Sequence, residues 1–269
     1  MSGGADTLLA VDGAVDLPDE LDSSATIRVI HGTVWLGNEP FVGDRSEFWA
    51  RLRSGADFST APPTVESLSD TYCCAEVVCA LHVSAELSAT VSHARSASEA
   101  VSSRVSVVDS RSLSVGAGLV AAMVHDAMET STPEAAVADH ARSLCERLHT
   151  FAVIQDVRSL ERSGRAGLLP AHHLSSRRPL VLGLRGRALA LDQPRDRAAS
   201  VRRLAGRARE ASAGSITAWA LGHGDASDRD EVCETIAKSL GMPPRYVAVI
   251  DPFVGAHVGP DAVIIGVMS

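Results

Sequence analysis

Glu76-Val77-Val78-Cys79-Ala80-Leu81-His82-Val83 runs into Ser84-Ala85-Glu86-Leu87-Ser88-Ala89-Thr90 and then into a helical pattern through Ala94. An apolar run of this length, ending in a polar loop and a helix, is one beat of a βαβ rhythm, because a strand covered on both faces has no need to alternate. Val105-Ser106-Val107-Val108, followed by Asp109-Ser110-Arg111-Ser112, is a second beat. Upstream, Leu8-Leu9-Ala10-Val11 reads as a short buried strand ending in Asp12-Gly13, and residues 26–31 and 33–36 as extended segments. Residues 16–21 read as a helix start with Pro18 in its first turn. Residues 44–52 read as a short amphipathic helix with Phe48, Trp49 and Leu52 on one face. Helices are expected over 116–128 and 133–150.

The second half has a different pattern. Strands are expected at 151–154 and 179–184, and the second turns at Arg185-Gly186-Arg187 and returns at 188–191, which implies antiparallel pairing. A short helix over 156–163, closed by Gly164, lies between them. An arginine-rich helix at 198–211, a strand at 215–221, a helix at 228–240 and strands at 246–250 and 262–267 complete the chain. The expectation is an α/β protein of two domains. Residues 1–150 form a three-layer α/β/α domain with a parallel sheet; residues 151–269 form a two-layer α/β domain with a mixed sheet.

Composition sets limits. The chain has 269 residues, 45% hydrophobic but only 4% aromatic, so its interior is built from Val, Leu, Ala and Ile. A formal net charge of -8 argues against a nucleic-acid binder, and no polybasic anchor is visible. Lys238 is the only lysine, which excludes most lysine-based chemistry, and no P-loop or Schiff-base lysine is evident. Five cysteines, an odd number, with Cys79 in an apolar setting, suit reduced thiols in a cytoplasmic protein. Cys73-Cys74 lacks a second half-set of ligands, so no metal site is expected. No signal peptide and no bilayer-spanning apolar run is visible.

Three hydroxyl-bearing loops and the tail hold the polar groups that could meet a ligand. In 84–90, Ser88 or Thr90 could cap the following helix, and a helix N-terminus favours an anion. Ser59-Thr60-Ala61-Pro62-Pro63-Thr64 reads as a loop before a helix, with Pro62 or Pro63 in its first position. Asp109 reads as an anchor for loop amides. Gly255-Ala256-His257-Val258-Gly259-Pro260 reads as a glycine turn between two strands, placing His257 at a sheet edge.

Taken in order, these motifs resemble the DegV family of bacterial fatty-acid-binding proteins over nearly the whole chain. The family's Asp-Ser and Asp-Leu-Pro correspond to Asp12-Gly13 and Asp16-Leu17-Pro18, and its Thr-Ser-Gln-Pro loop to Ser59-Thr60-Ala61-Pro62. Its Leu-Ser-Gly-Thr loop corresponds to Leu87-Ser88-Ala89-Thr90, its Gly-Gly-Arg turn to Ser163-Gly164-Arg165, and its closing His-x-Gly-Pro-Gly to His257-Val258-Gly259-Pro260-Asp261. The resemblance implies a carrier without enzyme activity or cofactor, which holds one long-chain fatty acid between the domains and presents its carboxylate to a separate fatty-acid kinase. Ser59, Thr60, Ser88, Ala89, Thr90, His257 and Gly259 fall at the carboxylate end by position. Arg165 falls near the ligand entrance and Arg195 on the kinase-facing surface. Phospholipid metabolism, and transient membrane contact for lipid exchange, are further implications. Ala61, Ala89 and Asp261 depart from the family pattern, Asp261 placing a negative charge four residues after His257. Two other readings stay open: a sensor of a non-lipid small molecule on the same scaffold, and a serine hydrolase with Ser88 as nucleophile and Asp109 as orienter, although no Gly-x-Ser-x-Gly surrounds Ser88.

Overall fold

A computed structural model describes residues 7–21, 23–130, 132–155, 157–162, 164, 169, 173 and 178–269. In chain order the N-terminal half runs β1 (Thr7–Asp12), β2 (Ile27–Ile30), β3 (Thr33–Leu36), β4 (Glu39–Pro40), α1 (Arg45–Arg53), β5 (Phe58–Ala61), α2 (Val65–Tyr72), β6 (Val77–His82), α3 (Thr90–Ala100), β7 (Arg104–Asp109), α4 (Ser114–Glu129) and α5 (Glu134–Arg147). The C-terminal half runs β8 (Leu148–Ile154), α6 (Arg158–Arg162), β9 (Leu180–Arg185), β10 (Arg187–Asp192), α7 (Arg197–Ala211), β11 (Ala218–His223), α8 (Arg229–Leu240), β12 (Tyr246–Val249), α9 (Pro252–Val258) and β13 (Val263–Met268).

The first sheet has the order β2-β1-β6-β7 and is parallel throughout. Leu8, Ala10, Val78 and Ala80 face Leu68, Tyr72, Ala94 and Ala97 of α2 and α3, while Leu9, Val11, Cys79 and Leu81 face the other way, into the central core with α4 and α5. The strand order reverses between β1 and β6, so the crevice beyond their C-terminal ends is where an open α/β sheet takes a ligand. The second sheet, β10-β9-β8-β13-β11-β12, is antiparallel except for β11–β12. One face packs on α7 and α8 through Trp219, Leu221, Ile265 and Leu204. Its other face, with Ala152, Ile154, Leu182 and Ile264, joins the same central core as the first sheet. Helix α4 is buried around most of its circumference between the sheets. Gly116 allows this, because a Cβ there would lie 2.3 Å from Thr150 Oγ1. This is the expected two-domain α/β fold, parallel sheet first and mixed sheet second. Among the described residues, no helix is long and apolar enough to cross a membrane.

Several local expectations need correction. The helix expected over 133–150 ends at Arg147: Leu148 and Thr150 pair with Met268 and Gly266 of β13, and this long-range pairing overrides the helical pattern. The chain therefore enters the second sheet slightly before Thr150. The helix expected from Asp16 is a single 3-10 turn at Asp19–Leu21, because Asp16 is itself a buried hydrogen-bonding hub. Ser59 and Thr60 lie on β5, paired with Trp35 and Val34 of β3, rather than in a loop. The first helical residue of α2 is Val65 rather than Pro62 or Pro63, and Thr64 caps the helix, accepting from Ser67 N at 3.1 Å. The strand expected at 215–221 is displaced to Ala218–His223. Of the helix expected over 156–163, α6 accounts for the centre; Asp156 and Ser163 lie outside the described residues.

Candidate functional site

The tail expected to be a glycine turn is a helix. Asp251 caps α9 by accepting from Phe253 N at 2.8 Å, Pro252 fills the first helical position, and Gly259, at φ +82°, ends it. His257 therefore sits on the last turn of a helix. At Gly255 a Cβ would lie 2.6 Å from the Trp49 ring and 2.9 Å from Phe48, so glycine lets the aromatic face of α1 press directly on α9. His257 Nε2 is 2.9 Å from Thr60 Oγ1. Successive residues of a strand point to opposite faces, so β5 turns Thr60 toward His257 and leaves Ser59 exposed. The resemblance placed both Ser59 and Thr60 at the carboxylate end; of the two, the structure sets Thr60 beside His257.

The second polar group comes from the start of α3. Ala89 is the capping residue and makes no side-chain bond, while Ser88 Oγ accepts from Thr90 N at 3.3 Å and lies 2.8 Å from Thr90 Oγ1. The loop carrying Ser88 is held from several sides. Ser84 N donates to Ser112 O at 2.9 Å, and Ser84 Oγ donates to Gly186 O on the β9–β10 hairpin. Asp109 Oδ1 accepts from Ala85 N at 3.3 Å and Arg111 N at 2.8 Å, the amide-anchoring role expected of it. At the strand exits, Asp12 accepts from Ala14 N at 2.9 Å and Val83 N at 2.8 Å. His82 Nδ1 lies 3.1 Å from Asp12, and Tyr72 Oη lies 2.8 Å from His82 Nε2. These buried groups satisfy one another and fix the two backbone segments, at Ala14 and Val83, that reach the ligand crevice.

These segments line a cavity between the first domain and the second sheet. Its walls are Leu87 and Leu113 on the first domain; Ala152, Ile154, Leu182, Leu184 and Ile264 on the second sheet; and Phe253, Val254 and Val258 on α9. Among the described residues, Ser88 and His257 are the polar ones in this lining. An apolar lining with a few polar groups is the general make-up of a small-molecule site. Ser88, Asp109 and His257 do not form a nucleophile–base–orienter relay: Ser88 bonds to Thr90, His257 to Thr60, and Asp109 to loop amides. Arg195 is 81% exposed and paired with Asp196 at 2.9 Å. Arg165 lies outside the described residues. Among those described, no group of His, Cys, Asp and Glu could hold a metal ion.

A family model described as "Uncharacterised protein, DegV family" matches residues 7–269. The chain belongs to the DegV family. Among solved structures, a DegV-family protein from Thermus thermophilus, described by its fatty acid binding, shares 24% identity, covering 98% of this chain and 99% of that one, with a TM-score of 0.85. A stearic-acid-binding protein from Eubacterium ventriosum shares 17% identity, covers 97% of both chains and has a TM-score of 0.89. A Thermotoga maritima protein described as revealing a fatty acid binding function shares 20% identity over 97% of this chain and 98% of its own, with a TM-score of 0.83. No curated protein matches the chain.

Asp16 stood out in the sequence only as part of the Asp-Leu-Pro motif, and Asp251 did not stand out. Asp16 accepts from Ser114 Oγ and from Asp251 N at 2.9 Å. Burial pushes its carboxyl up to about 7, with Asp251 adding to the rise, and burial raises Asp251 too. The signal for α9 was present: Asp-Pro before an apolar run is a cap followed by a first-turn proline.

Proposed function

We propose that this chain binds a long-chain fatty acid in the cavity between its domains and presents the carboxylate to a separate fatty-acid kinase. The observation that carries the reading is an apolar cavity whose polar lining, among the described residues, is Ser88 and His257, with Thr60 bonded to the histidine. Burying an acyl chain contributes about 0.8 kcal/mol per methylene, so about sixteen carbons give on the order of 10 kcal/mol gross, much of it offset by ordering and association costs. Hydroxyls, an imidazole and the N-terminal amides of α3 supply donors for the carboxylate, which is what a buried anion needs. These groups hold an acid without activating it, so phosphoryl transfer falls to the partner. In this reading Ser59 lies outside the head-group site, Ala89 and Gly259 shape its backbone, Arg165 lies near the entrance and exposed Arg195 faces the kinase. Cytoplasmic location, phospholipid metabolism and brief membrane contact for lipid exchange belong to the same reading.

The test is mass spectrometry of organic extracts from the purified chain. Recovery of one equivalent of C14–C18 fatty acid is the expected result. No acyl ligand recovered, together with no binding of added palmitate, sinks the reading.

A further inference from the structure

Helix α1 lies along α9 and is pinned to it near both ends. At one end Arg45, the first residue of α1, faces Asp251, the cap of α9, at 3.9 Å. At the other, Arg53, the last residue of α1, reaches past α9. Its Nε donates to Asp225 Oδ2 at 2.8 Å, and its Nη2 donates to Asp225 O at 2.5 Å and to Asp261 Oδ1 at 3.0 Å. The receiving side is rigid. Asp225 N donates to Pro260 O at 2.7 Å, Gly224 N donates to Ala262 O at 3.1 Å, and Arg197, itself paired with Asp228, donates to Asp261 O. Between the pins, Phe48 and Trp49 rest on Gly255. The chain leaving Arg53 becomes β5 within five residues, and β5 delivers Thr60 to His257. Asp261 thus acquires a definite partner. It caps nothing; it is the carboxylate that α1 grips.

We propose that Arg53, clasping Asp225 and Asp261, is the positioning residue that holds the α1–β5 strap of the first domain over the His257 helix of the second, and so sets the rate at which ligand leaves the head-group site. The inference rests on the fatty-acid reading for its ligand, but the clasp itself does not depend on it. Arg53, Asp225 and Asp261 are 39–50% exposed, so added salt weakens the clasp. A forked guanidinium can serve two acceptors at once where an ammonium serves as a point charge, so lysine replaces it only in part.

The test uses the full chain and a fluorescent long-chain fatty acid, with its release followed under excess unlabelled palmitate. Amide hydrogen exchange of Phe58–Ala61 is measured in parallel on ligand-free protein. Arg53→Gln and Asp261→Asn are each expected to speed release roughly three- to tenfold, to raise exchange in β5, and to be non-additive when combined. Arg53→Lys should fall between Gln and wild type. Added NaCl should speed release from wild type and leave Arg53→Gln nearly unchanged. Unaltered release and β5 exchange in Arg53→Gln overturn the proposal, as does equal salt acceleration in both proteins. If wild type binds no fatty acid while β5 exchange still responds to Arg53→Gln, the clasp stands and the ligand reading falls.

Discussion

Thr60 and Ser59 are adjacent hydroxyls with opposite surroundings, and strand pleating alone separates them. The Thr60 hydroxyl touches His257 Nε2, while the Ser59 side chain faces solvent. Thr60→Val keeps the shape and removes the hydroxyl. It is expected to weaken palmitate binding by roughly ten- to a hundredfold, since a hydrogen bond serving a charged head is worth roughly 1.5–3 kcal/mol. Ser59→Ala should stay within about twofold of wild type. Competitive displacement of a fluorescent fatty acid measures both, and a larger loss at Ser59 than at Thr60 would place the head group on the other face of β5. Asp16 gives a prediction that needs no ligand. Its folded carboxyl titrates at about 7 instead of 3.8 because burial disfavours the charge. Between those values the folded chain keeps a proton that the unfolded chain has released, so stability falls as pH rises from about 4 to about 7 and then levels. Asp251, raised for the same reason, acts in the same direction. Asp16→Asn removes the titration. The drop in unfolding free energy between pH 5 and pH 8, read from urea midpoints, should shrink by on the order of 2 kcal/mol relative to wild type; an equal drop in both proteins rules out this role for Asp16.

Elements with local signals were legible in the sequence. Strands β1, β6 and β7 are short apolar runs followed by polar exits, and α1 carries its own cap, Asp44, which accepts from Glu47 N at 2.8 Å. The Arg185-Gly186-Arg187 turn was legible because a glycine at φ +85° between two apolar runs makes a tight hairpin. What failed depended on partners far along the chain. Leu148 and Thr150 continue a helical pattern but are claimed by β13, and Ser59-Thr60 reads as a loop until β3 pairs with it. Helix α9 was missed because Gly255 and Gly259 look like turn residues. Gly259 does end the helix, but Gly255 is there for the approach of Trp49, which only the tertiary structure reveals. At the site, His257 and Ser88 stood out as polar residues on otherwise apolar or capping segments. Arg53 did not, because one arginine among so many carries no signal until Asp225 and Asp261 are brought to it.

The whole molecule shares one core. The central cluster joins Leu9, Val11 and Leu81 of the first sheet to Ala152, Leu182 and Ile264 of the second, with α4 between them and the cavity opening at its edge. A ligand there touches both domains, so its binding energy couples to unfolding of the whole chain rather than of one half. At a free ligand concentration one hundred times Kd, linkage adds about 2.7 kcal/mol, which for a chain of this size corresponds to a Tm increase on the order of 5–10 °C. Differential scanning calorimetry of delipidated and palmitate-loaded protein should therefore show one endotherm in each, displaced upward by that amount on loading. Two endotherms, of which only one moves with palmitate, would mean that the domains melt independently and that the acyl chain lies within one of them. A single endotherm that palmitate leaves in place, in a protein that binds it, would put the lipid on a surface that unfolding does not disrupt. A ligand wedged between the two sheets predicts both the single transition and its shift.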